Sequence, residues 1–151
     1  MQDRYLFKAK RIKDGQWVEG AFYIEPYTDC CYIIQWNSTG LGFNEFIEVD
    51  GETICQCTGL KDKIGNLIWE NDIIKKEFYT DYDAYANSEK YTGVMKYEDG
   101  GWLVKTLKED GQILAITIID VLAFSKDIEH FEVIGNVFDN PELWRCSHDG
   151  E

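Results

Sequence analysis

The side chains best suited to nucleophilic or metal chemistry in this 151-residue chain are five cysteines and two histidines. Cys55 and Cys57 would share one face of a strand, and Cys146 precedes His148 at the same spacing. A structural zinc site draws on four such ligands, commonly through a Cys-x-x-Cys knuckle, and the chain has no such knuckle. Reduced thiols acting as small apolar groups account for these positions better. The adjacent pair Cys30 and Cys31, within an odd total, does not suit a complete disulfide framework. His130 lies between Glu129 and Phe131 and His148 lies in a polar tail, neither with a supporting motif that would make it a general base. The carboxylate pairs Glu70 with Asp72 and Asp139 with Glu142 have the chemistry for acid–base work or a divalent cation. Yet 28 acidic residues produce such pairs by chance, and turns and helix starts favour them. Gly40, Gly42, Gly100 and Gly101 fit turns, and no phosphate-cradling glycine loop occurs. The expectation is of no catalytic residue, no cofactor and no metal.

Charge narrows the partners. The net charge is −13. Residues 2–13 hold five bases (Arg4, Lys8, Lys10, Arg11, Lys13) against Asp3, a local +4 that leaves −17 on the remainder. Between Asp14 and Leu60 stand eight acids (Asp14, Glu19, Glu25, Asp29, Glu45, Glu48, Asp50, Glu52) and no lysine or arginine. Such a surface repels phosphate backbones, so direct nucleic-acid binding is disfavoured. Apolar runs such as Ile33-Ile34 and Ile118-Ile119 fall far short of the roughly 20 residues that cross a bilayer. The N-terminus lacks the apolar stretch of a secretory signal. No membrane partner and a cytoplasmic location are expected.

Whatever chemistry exists must be positioned by strands. With 44% hydrophobic and 15% aromatic residues, the chain can build one real core. Stretches 5–12 and 16–24, rich in aromatic and β-branched residues, flank Asp14-Gly15, which predicts a hairpin. The same turn chemistry predicts a second hairpin from 46–49 through Asp50-Gly51 to 53–57. A third runs from 93–97 through 98–101 to 102–106, and a fourth joins Leu107-Lys108 to 113–119 through Asp110-Gly111. Asn140 followed by Pro141 marks the start of a short helix, and 121–130 has room for another helical turn. The segment 78–91 reads as a long loop or hairpin extension. The fold class expected is mainly β, antiparallel hairpins forming a small barrel, SH3-like in the preferred topology, with one or two short helices; α+β is the alternative. Trp17, Phe22, Tyr23, Trp36, Phe43, Phe46, Trp69, Tyr79, Tyr82, Tyr85 and Trp102 are more than so small a core needs, which admits two readings of equal weight: some sit in a subunit interface, or they fill a small barrel.

Three stretches in order carry a resemblance. Residues 58–74, reading Thr-Gly-Leu-Lys-Asp-Lys-Ile-Gly-Asn-Leu-Ile-Trp-Glu-Asn-Asp-Ile-Ile, look like the central signature of the YopX family. Residues 131–143, from Phe131 through Gly135-Asn136 to Asn140-Pro141-Glu142-Leu143, resemble its closing motif, and 8–20 with Trp17 resembles its opening hairpin. One departure is Asn71, which stands where relatives have glycine; asparagine tolerates a left-handed backbone better than most residues. The resemblance implies a single YopX-like domain over 1–145 with a polar tail at 146–151, phage or prophage origin, a homo-oligomer, and no assigned activity. Motif residues of unknown role are Gly59, Lys61, Asp62, Gly65, Glu70, Asp72, Gly135, Asn136, Asn140, Pro141 and Glu142. The functional expectation is a non-enzymatic accessory protein acting by protein binding or self-assembly, with a host or phage protein as a further partner. The alternatives are an acidic DNA-mimic inhibitor of a host nucleic-acid-binding protein and a metal-dependent hydrolase.

Overall fold

A computed structural model describes residues 3–36, 44–77, 90–107, 113–117 and 131–145. The segment 78–89, the 121–130 stretch, the Asp110-Gly111 turn, Phe43, Tyr79, Tyr82, Tyr85, His130 and the 146–151 tail with Cys146 and His148 lie outside them. The chain forms two compact units, Met1–Gly59 and Leu60–Glu151.

In the first unit the basic segment and Asp14-Gly15 make the expected hairpin. Strand β1 (Phe7–Lys10) pairs antiparallel with β2 (Trp17–Ile24), from Phe7 opposite Gly20 to Lys10 opposite Trp17. Gly15 takes φ +68°, and Asp14 closes the loop by accepting from the Gln16 amide and the Arg11 guanidinium. Strand β2 then changes partner. Its first half pairs with β1, while residues Ala21 to Ile24 pair with β3 (Cys31–Trp36). The hinge is Gly20: a Cβ there would collide with the Ile34 carbonyl oxygen and stand 2.9 Å from Ile33 Cγ2, so only glycine lets the strands approach this closely. The Glu19 carbonyl, just before the bend, accepts from the Gln35 side chain at 3.0 Å. Strand β4 (Asn44–Val49) pairs with β3, and β5 (Cys55–Lys61) pairs with β1. The order is β4-β3-β2-β1-β5. Ala9, Val18, Ile33 and Val49 form the buried cluster, with Phe7, Phe22, Cys31, Ile47 and Ile54 packed against it.

Two sequence expectations change here. Asp50-Gly51 does not make a hairpin. Asp50 caps a 3₁₀ turn over Gly51–Thr53 by accepting from the Glu52 amide, and β5 crosses to β1 rather than folding back on β4. Thr53 completes the crossing, its hydroxyl accepting from the Lys10 amide at 2.9 Å. The expected barrel is also not closed. The end of β4 returns towards β1 through the Arg11–Val49 bridge, with Ile12 donating to the Glu48 carbonyl and Asp50 to that of Lys10, but the architecture remains two antiparallel sheets.

In the second unit β5 gives way to β6 (Leu67–Trp69), and β7 (Asp72–Glu77), β8 (Lys90–Glu98), β9 (Gly101–Leu107), β10 (Ile113–Thr117) and β11 (Phe131–Asn136) form a sheet ordered β10-β9-β8-β7-β11. The third hairpin forms as expected, with Asp99 and Gly100 at φ +51° and +81°, both positive as a type I′ turn requires. Strand β10 pairs with β9. Ile68, Ile74, Met95, Val104 and Phe131 form the core, with Leu60, Trp102 and Val133 against it. Helix α1 (Pro141–Arg145) starts on proline and contacts β8. The fold is mainly β, and among the described residues no helix is long and apolar enough to cross a membrane.

Replacing Gly20 by alanine is expected to lower stability by about 1–3 kcal/mol through forced strand separation. Gly101→Ala, where nothing lies within 4 Å of the added Cβ, should change it by less than about 0.5 kcal/mol. Urea unfolding followed by tryptophan fluorescence checks both; equal midpoints would dismiss the close approach at Gly20 as a constraint.

Candidate functional site

The motif residues converge, but on backbone. In the β5–β6 turn, Asp62 is 6% exposed. One carboxylate oxygen accepts from the amides of Ile64 (3.1 Å) and Asn66 (2.8 Å), the other from the Asn66 side chain (3.3 Å) and the Val133 amide (3.2 Å). Beside it the Lys63 amide donates to the Phe131 carbonyl at 2.8 Å, and the Lys63 ammonium pairs with Glu132. The central and closing motifs are thus two sides of one seam. Burial pushes the Asp62 carboxyl up, but the amides of Asn66, Val133 and Ile64 and the Asn66 side chain together outweigh it and hold the group below its ordinary value. Gly65, at φ +90°, turns the loop back so that its amide reaches the Asp62 carbonyl. Gly59 lies inside β5 at φ +77°.

The next turn repeats the device. Asp72, 2% exposed, accepts from the Trp69 amide at 2.8 Å. Asn71 takes φ +66°, the left-handed conformation its neighbours demand, and its own amide donates to the Met95 carbonyl. Its carbonyl accepts from Val137, and its side-chain oxygen meets the Lys96 ammonium. Asparagine, which tolerates this region better than most residues, therefore sustains the turn. Strand β7 pairs with β11 from Asp72 opposite Asn136 to Lys76 opposite Phe131, with a bulge between Val133 and Gly135. A Cβ on Gly135 would lie 2.8 Å from Asn140 Cγ; the Asn140 oxygen accepts from the Asn136 amide, and the Asn136 oxygen from Phe138 and Asp139. Lys61, Pro141 and Glu142 are exposed and Glu70 is half-buried. Glu70 and Asp72 do not converge with a third acid: among the described residues no group of three or more His, Cys, Asp or Glu could hold a metal. Cys55 and Cys57 are buried and Cys30 and Cys31 half-buried, all as thiols rather than disulfides.

A different surface is open. Cross-strand partners share a face, so Ala21 and Tyr23 on β2, Tyr32, Ile34 and Trp36 on β3, and Asn44, Phe46 and Glu48 on β4 lie together, opposite the core. Tyr23, Tyr32 and Phe46 form a ring cluster with centroids 6.3–6.4 Å apart, Phe46 standing edge-on to both tyrosines. Phe46 is 57%, Tyr23 40% and Trp36 79% exposed. Beside them Leu6, Glu19, Ala21, Ile34 and Trp36 line an open recess of about 630 Å³. Further along the same face of β2, Lys8 and Lys10 place their ammoniums 5.2 and 5.4 Å from the Trp17 ring centroid. The surplus aromatics thus divide: Trp69 is buried and Phe22 and Trp102 pack against the cores, while Tyr23, Trp36 and Phe46 face out. Tyr32 escaped the sequence reading, although its alternation with Ile33 was the available signal.

The YopX protein family model matches residues 6–145, spanning opening hairpin, central seam and closing motif alike. The chain belongs to the YopX family. Among solved structures, protein EF1440 from Enterococcus faecalis is similar at 22% identity, with a TM-score of 0.52 over 91% of this chain and 96% of that one, a likeness of fold. No curated protein matches.

Substituting Asp62 by asparagine would place an NH₂ against donors and is expected to cost about 1–3 kcal/mol. Because the folded carboxyl sits below its unfolded value, its stabilisation is present above that unfolded value, near pH 4. It is lost as pH falls through the folded one. The gap between wild type and Asp62→Asn in urea midpoints should therefore be widest at neutral pH and close on acidification; a pH-independent gap would refute the assignment.

Proposed function

We propose that this YopX protein acts by binding another protein through the outer face of β2, β3 and β4, as a non-enzymatic accessory protein of phage or prophage origin. The observation that carries this reading is the ring cluster of exposed Tyr23 and Phe46 with half-buried Tyr32, and the exposed Trp36 beside it. Large aromatics carry interface energy because they bury much area at small entropic cost. Four on one face of a regular sheet make a rigid patch that needs no folding on binding. The motif side chains support the same division of labour, since those of Asp62, Asp72, Asn136 and Asn140 accept from backbone amides, and among the described residues the outer face of β2 to β4 is left as an open surface with chemistry to offer.

The test is photo-crosslinking in bacterial cells that express the protein, from a benzophenone side chain at position 36 or 46, with position 64 on the exposed β5–β6 turn as reference. Discrete adducts from 36 and 46, absent from 64, are expected. An adduct to a second copy would mean self-assembly, and an adduct to another protein a heterologous partner. Equal or absent labelling at all three positions would overturn the reading.

A further inference from the structure

The geometry points to a lysine- and arginine-rich protein segment as the partner that this face accepts. The inference rests on the binding role proposed above and adds the chemistry of the partner. Three features lead to it. First, the rings are set in an acidic frame: Glu19 and Glu48 share the outer face with Tyr23, Tyr32, Trp36 and Phe46. Residues 14–60 carry eight carboxylates and no lysine or arginine of their own, the nearby bases being Arg11, paired with Asp14, and Lys8, opposite Glu19. Second, the face already shows how it takes ammonium, since Lys8 and Lys10 stand over Trp17 on the same side of β2 at cation–π distance. Third, the recess beside Trp36 has an apolar floor of Ala21 and Ile34 and a carboxylate, Glu19, at its margin. A lysine or arginine fits such a place, laying its aliphatic stem on the floor while its head meets the acid.

Charge also decides against a second copy. Two copies joined through β3 and β4 would bring together two acidic segments that hold no lysine or arginine, and like charges across an interface cost affinity. A basic segment gains from the same charges, both in steering and in cation–π contact with Trp36, Tyr23 and Phe46.

The probe is a fluorescein-labelled octapeptide of alternating lysine and leucine, titrated with the full chain by fluorescence anisotropy beside its glutamate–leucine counterpart. The lysine peptide should bind and weaken with added salt, and the glutamate peptide should not bind. Trp36→Ala with Phe46→Ala, both exposed and checked for an unchanged circular dichroism spectrum, should weaken the lysine peptide by about tenfold. Glu19→Gln with Glu48→Gln should weaken it several-fold and flatten its salt dependence. Asp99→Asn with Glu142→Gln removes the same charge from exposed positions of the second unit and should leave binding within about twofold. If that off-face pair weakens the peptide as much as the on-face pair, or if the aromatic pair has no effect, the peptide is held by net charge and the inference fails. Crosslinks from position 36 to an acidic protein or to a second copy would overturn the basic partner while sustaining the binding role. Absence of both crosslinks and peptide binding would overturn both.

Discussion

A buried carboxylate organises the second unit. Taking Asp62 out of water is costly unless each of its lone pairs finds a donor. Here four donors supply them: two amides of its own turn, the Asn66 side chain, and the Val133 amide 71 residues away. An ionised carboxylate offers about four acceptor sites and no donor, which is why aspartate fits and asparagine does not. Fixing Val133 to the β5–β6 turn sets the register of β11, and β11 in turn lies against β7 and the left-handed Asn71. The motif is therefore a set of mutually dependent hydrogen bonds, cooperative in the sense that each bond orients the donors of the next.

Much of this was legible from local signals. Asp14-Gly15 and Asp99-Gly100 made hairpins because both ends of each turn lead into strands that alternate in step. Asp50-Gly51 carries the same dipeptide, yet the side chain of Asp50 caps the next turn and redirects the chain. Local chemistry fixed that a turn occurs there, and the partner of β5 was settled by the distant Lys10–Thr53 bond and the apolar cluster around Ala9. Non-local pairing is where sequence reading loses its grip, as with Asp62 and Val133: nothing in residues 58–74 announces that their acceptor awaits an amide on the far side of the chain. The candidate interface was half legible. An excess of aromatics was visible, whereas which of them face out depended on register, and a one-residue slip would have exchanged Tyr32 for Ile33.

The shared motifs and the proposed recognition face draw on different residues. Within the shared motifs the side chains of Asp62, Asp72, Asn136 and Asn140 accept from backbone amides, so they specify a shape. The outer face of β2 to β4 lies on the reverse of the strands that enclose Ile33, and strand alternation lets its side chains change without disturbing Phe22, Ile33 or Ile47. Relatives with one backbone can thus present different surfaces.

The incomplete return of β4 towards β1 has a cost of its own. Its last residues are occupied by Arg11 and Ile12, but from Asn44 to Ile47 it ends its sheet among the described residues. An open strand edge with aromatic neighbours is a template for runaway association during synthesis. The exposed carboxylates of Glu45 and Glu48 place charge along that edge, where an identical strand would have to bring the same charge against it. The acidity proposed to shape recognition on the broad face would then act as a gatekeeper on the narrow one, opposing edge-to-edge association of the sheet.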